Sequence, residues 1–168
     1  MSTSLYDATV GPFRQILGAT ANVLEKGRAH CEASGIPLDD VVQMRLIDDM
    51  APFQFQIVST AHHSLGALKG VEAGVFTPPS PAGEDYAGLH SLIEQALEGL
   101  DDFTPERVNA FEGKPLEFRL GSNAIPFQGE KFLLGFSLPN FMFHATTAYD
   151  MLRIKGAPLG KRDFLNLL

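Results

Sequence analysis

The chain has 168 residues, 45% hydrophobic and 20% charged, with thirteen Lys and Arg against twenty Asp and Glu for a net charge of −7. A length of this order fits one domain, residues 1–168, burying roughly two-thirds of its unfolded surface, and the hydrophobic fraction excludes intrinsic disorder. The acidic balance argues against nucleic acid or an anionic membrane as partner, because both need a basic face. Cys31 is the sole cysteine, so an intramolecular disulfide is excluded, and it is expected to be a small packed residue. The first residues lack the basic and apolar regions of a signal peptide. The longest nearly apolar run, 132–143, is shorter than the roughly 20 residues a bilayer requires. A soluble cytoplasmic protein is expected.

In chain order, a first helix spans about 5–30. Ser4 and Asp7 form a relaxed capping box, and Tyr6, Val10, Phe13, Leu17 and Leu24 recur at helical spacing. Pro12 predicts a kink or a late start near Gly11, and Gly35 a stop. A short helical turn follows Asp39 or Asp40. Pro52 then fits the first position of a second long helix, whose face is Phe53, Ile57, Ala61, Ser64 and Leu68 and whose end is Gly70. Residues 71–83 carry three prolines and read as an ordered surface connection. A third long helix runs from about 85 to 103, and Thr104-Pro105-Glu106 caps a short turn of helix to about Phe111.

The pattern then alternates. Leu116, Phe118 and Leu120 share one face, and Gly121-Ser122-Asn123 supplies a turn, so 115–127 predicts a two-stranded hairpin lying on the helices. A fourth long helix spans about 130–155 with Pro139 inside it, and Gly135 relieves part of the steric clash. The tail from Leu159 to Phe164 is too charged to continue that helix and too apolar for plain disorder. Four amphipathic helices make an all-α bundle with a small β-hairpin before the last helix, and the long connections disfavour simple up-down-up-down topology.

No Gly-rich phosphate loop, zinc-binding Cys pair, H-E-x-x-H, G-x-S-x-G or Glu-x-x-His spacing is present. What remains is His62 and His63 in the second long helix and His144 in the fourth. Asp49, Gln56 and His63 are spaced by seven and share a flank if the second helix reaches back that far. Asn140 and His144 are four apart, with Tyr149 and Asp150 one turn later. Two readings are open. In one, His63 and His144 meet across a polar pocket between the second and fourth long helices, as acid and base or as partial metal ligands. In the other, His62 is exposed while His63 and His144 are packed and bonded to a hydroxyl or carbonyl. His30 and His90 read as surface residues. Lys161 and Arg162 read as a solvated tail, or as cations folded back over a bundle end toward an anionic ligand.

The stretch Leu138-Pro-Asn-Phe-Met-Phe-His144-Ala-Thr-Thr-Ala-Tyr149-Asp-Met-Leu-Arg153, continued by Gly156-Ala-Pro-Leu-Gly-Lys161-Arg-Asp-Phe164, resembles the family termed domain of unknown function nineteen-ninety-three, within the DinB-like (YfiT-like metal-dependent hydrolase) superfamily. Arg45-Leu-Ile-Asp-Asp49-Met50, Pro52-Phe53, Gln56 and His63 are similar too. The resemblance implies a DinB-like four-helix bundle of up-down-down-up topology, often homodimeric. In better-known members it implies a histidine triad, one His on the second helix and an H-x-x-x-H pair on the fourth, holding nickel or zinc for thiol-dependent transferases or hydrolases. Here His63 (or His62) and His144 match, but the third position is Asn140 or Ala148, so the triad is incomplete. The resulting expectation is a metal-free small-ligand-binding or interaction protein without a cofactor. His63 and His144 would be the reactive pair, with Asp49, Gln56, Asn140, Tyr149, Lys161 and Arg162 holding the ligand. The alternative is a metal- or His-dependent transferase or hydrolase using a thiol co-substrate, with His63 and His144 on nickel or zinc.

Overall fold

The computed structural model describes residues 3–80 and 83–166; Pro81 of the proline-rich connection lies outside the described residues. Helix α1 (Leu5–Ser34) starts where Ser4 Oγ accepts the Asp7 N–H. That cap sets the start at Leu5, so the late start expected from Pro12 does not occur and the proline is carried inside the helix. At the other end Gly35 turns left-handed (φ 67°), and the Ile36 N–H returns to the Cys31 carbonyl at 2.8 Å, closing the helix as a Schellman-type stop. The short α2 (Leu38–Gln43) carries Asp39 and Asp40 in its first turn.

The second long column is built in three pieces: α3 (Phe53–Ala61), a π-helical turn (His62–Gly66) and α4 (Ala67–Ala73). It ends at Gly74 (φ 75°), one turn beyond the expected stop at Gly70. Gly70 serves a different purpose. A Cβ there would lie 2.9 Å from the Phe76 ring, so glycine lets the next strand pass close to the helix. That strand, β1 (Val75–Phe76), lies in the stretch read as surface connection. It pairs in parallel with β2 (Pro115–Leu120), which pairs antiparallel with β3 (Asn123–Gln128) through the register Leu116↔Phe127 and Phe118↔Ile125. The expected hairpin is therefore two-thirds of a three-stranded sheet.

Helix α5 (Tyr86–Gly99), capped by Asp85, passes through a 3-10 turn to Asp102, and Thr104 caps α6 (Pro105–Asn109). The fourth long column again has three pieces: α7 (Gly129–Phe132), a π turn (Leu133–Ser137) and α8 (Leu138–Ile154). The π turn restarts the helix just before Pro139, so the proline occupies a first-turn position where a missing N–H costs little.

Helix α1 packs against α5 and α8, and α3 packs against the same two. The fully buried Phe13, Phe53, Phe103, Phe132 and Phe141 fill the space between them, and Cys31 is fully buried too. An aromatic seam ties the sheet down: Phe76 meets Phe132 at 4.9 Å and Phe118 meets Phe136 at 4.8 Å between ring centroids. The tail forms α9 (Lys161–Leu165), seated on α1 through a Lys26–Asp163 ion pair and on α8 through Phe164 against Tyr149. Among the described residues no helix is long and apolar enough to cross a membrane.

Candidate functional site

The two π turns face each other. A π turn inserts one extra residue into a helix and redirects the side chains that follow, and such turns are frequent at functional sites. Here one carries His63 and the other ends at Ser137. The Ser137 hydroxyl donates to the His63 carbonyl at 3.0 Å, and the same oxygen lies 3.2 Å from His63 Nδ1. Ser137 is fully buried and His63 is 6% exposed.

Two turns further along, in α8, His144 places Nδ1 at 2.7 Å from Gln56 Oε1, while the Gln56 amide N–H donates to the Ala51 carbonyl at 3.0 Å. The His63 and His144 rings stand 6.0 Å apart between centroids and nearly parallel, at 14°. Aromatic rings enclose them: Phe76 and Phe136 lie beside His63, and Phe55 and Phe143 beside His144. Burial pushes the His63 imidazole down to about 3, with smaller contributions from the nearby His62 and His144. Burial alone pushes His144 down to about 4. Both rings are neutral at physiological pH, because this apolar shell penalises the imidazolium.

The remaining candidates disperse. Asp49 is exposed in the turn before α3, so the flank it was to share with Gln56 and His63 does not form. Gln56 is buried and holds His144. The Asn140 amide is spent on the Phe136 carbonyl one turn back, at 2.7 Å. Tyr149 packs against Phe164. Lys161 and Arg162 fold back with α9, but onto α1, and both stay exposed. His62 points away from the pair. Its Nε2–H donates to the Thr77 carbonyl at 2.6 Å and its ring lies on Phe76 at 4.4 Å. His62 also lines a cavity of about 590 Å³ between α3 and α5, under residues 77–80, with Leu65, Leu92 and Lys69. This cavity lies between the second and third long helices and is distinct from the pocket expected between the second and fourth.

The family described as "Domain of unknown function (DUF1993)" matches residues 5–165. The chain belongs to this family. A crystal structure of a DinB family member protein from Shewanella denitrificans has the same fold, with a TM-score of 0.79 at 24% sequence identity over 98% of this chain and 93% of that one. No curated protein matches.

The donor set of this DUF1993 chain does not complete a three-ligand nickel or zinc centre. Of the two positions that could supply the third imidazole, Asn140 has its amide N–H bonded to its own helix and Ala148 has no donor atom. Among the described residues no group of three His, Cys, Asp or Glu side chains could hold a metal ion. Sequence reasoning missed two residues. Ser137 contacts His63 across 74 positions of chain, and no local spacing reveals that. Ser59, whose buried Oγ has no hydrogen-bond partner among the described residues, stands three residues after Gln56 and four before His63, a spacing that does mark it.

Proposed function

We propose that this DUF1993 chain is a metal-free, cytoplasmic, DinB-like four-helix bundle of up-down-down-up topology that binds a small ligand at the His63–His144 pair. The observation that carries the reading is that pair: two neutral imidazoles 6.0 Å apart, contributed by different helical columns and each anchored through Nδ1. Anchored neutral rings in an aromatic shell hold and orient a ligand without a metal. The pair also changes the expected ligand. An anion needs positive charge, and Lys161 and Arg162 are exposed on a helix seated against α1, so the anionic ligand loses its expected cations. Homodimerisation is part of the proposal; Phe143, 56% exposed, and Ile154, 69% exposed, are apolar side chains that a partner copy would cover.

A second reading has one specific observation in its favour. Metal-binding histidines donate their other ring N–H to an acceptor, and both rings here have such a partner at Nδ1. A His-dependent transferase or hydrolase using a thiol co-substrate would rest on the same two residues. A thermal-shift screen of small metabolites against wild type, His63→Phe and His144→Phe tests the ligand-binding reading. A compound that raises the melting temperature of wild type only supports it. Compounds that stabilise all three proteins equally, or none, contradict it.

A further inference from the structure

We infer that Gln56 and Ser137 are positioning residues that keep the ring proton of both imidazoles on Nδ1, so that the site offers two bare Nε2 atoms and takes a hydrogen-bond donor, such as a primary ammonium, in preference to an anion. The ligand class rests on the ligand-binding reading above; the proton placement does not.

The assignment follows from counting donors. A serine hydroxyl has one proton, and Ser137 donates it to the His63 carbonyl, which can only accept. Towards His63 Nδ1 the same oxygen must therefore accept, and the ring donates. For His144 the orientation of the Gln56 amide decides. Its N–H end faces the Ala51 carbonyl; turning the amide over would set Oε1 against a second carbonyl oxygen. Oε1 thus faces His144, and an amide oxygen only accepts, so Nδ1 again carries the proton. A histidine side chain free in water favours the opposite form, with the proton on Nε2, so these two partners select the less common tautomer at both rings.

The consequence is chemical. Neither Nε2 receives a hydrogen bond from a described residue, and neither is among the side-chain atoms sealed from solvent without a partner, where Ser59 Oγ stands. Ser59 shares a helix face with Phe55, one turn before, and His63, one turn after, and both of those side chains lie against His144. Two lone pairs in an aromatic shell suit an N–H or ammonium group, which also gains from ring faces. A carboxylate or phosphate would meet lone pairs instead.

Long-range 1H–15N correlation spectra of histidine-labelled protein at pH 7 test both parts. The expected spectrum shows His63 and His144 protonated at Nδ1. Gln56→Leu moves His144 toward the Nε2-protonated form and leaves His63 alone, and Ser137→Ala releases His63. Gln56→Met, closer in shape, replaces Gln56→Leu if that variant fails to fold. Methylammonium chloride then shifts the two Nε2 resonances, and sodium acetate does not. Nε2 protonation in the wild type, or a His144 tautomer unmoved by loss of the Gln56 acceptor, overturns the positioning roles. A larger response to acetate overturns the ligand class. Silence toward both probes, with the Nδ1 protons in place, overturns the ligand class through failure of the ligand-binding reading and leaves the positioning roles standing.

Discussion

Histidines 63 and 144 link the site to the stability of the fold. Their pKa values in the folded chain, about 3 and about 4, lie below the ordinary 6.5 because burial disfavours the charged ring. The unfolded chain therefore takes up protons near pH 6.5 that the folded chain refuses. The stabilisation is complete above that pH and is lost as pH falls toward the folded values, by at most about 1.4 kcal/mol per pH unit per ring. Urea unfolding at pH 7 and pH 5 should show a lower midpoint at pH 5 for wild type and a smaller drop for His144→Phe; equal drops contradict the buried neutral pair. Elsewhere, Tyr86 donates its hydroxyl to the Leu24 carbonyl at 2.8 Å in the core. Tyr86→Phe should cost about 0.5–1.5 kcal/mol by denaturant unfolding, since one buried hydrogen bond is lost while the Leu24 carbonyl keeps its partner within α1. At this scale the sequence revealed the polar residues but not all their partners. His63, His144 and Gln56 were legible because they interrupt apolar helix faces. Asp49 was misplaced because a seven-residue spacing carries meaning only inside a helix, and α3 begins four residues later.

The long columns were legible as elements because apolar side chains recur every three or four residues, and the caps at Ser4, Asp85 and Thr104 marked their starts. The π turns were not legible. An inserted residue leaves the apolar pattern nearly intact, and its signature is a contact, Ser137 with His63, that only the folded chain makes. Strand β1 was hidden for a related reason. Two residues followed by prolines carry no alternation, and Gly70 read as a helix stop when it is the gap through which Phe76 reaches the helices. Phe76 touches the rings of His62, His63, Phe118 and Phe132, joining the sheet to the site. Phe76→Ala should destabilise by about 3–5 kcal/mol in denaturant unfolding, as large-to-small changes in a packed core do. Gly129, where β3 turns into α7, sits against the Phe111 carbonyl, and a Cβ there would collide with rigid backbone. Gly129→Ala should cost about 3 kcal/mol, and a neutral effect would show that this junction is looser than described.

On the scale of the whole molecule, one hydrophobic cluster runs from α1 through the helical columns to the sheet, and the charged tail closes over it as α9. The acidic composition predicted no nucleic-acid face, and the matched fold agrees with the helical reading. The tail resisted a reading because Lys161 and Arg162 are exposed while Phe164 and Asp163 dock, a mixture that local composition averages away. The proposed site joins two histidines, and among the described residues no third His, Cys, Asp or Glu side chain completes a metal-holding group with them. Metal analysis of tag-free protein purified without chelators, as wild type and as His144→Ala, tests that point most directly. A metal-free ligand site predicts far less than one equivalent of metal in both proteins. Near-stoichiometric nickel, zinc or iron in the wild type that disappears from His144→Ala would contradict it.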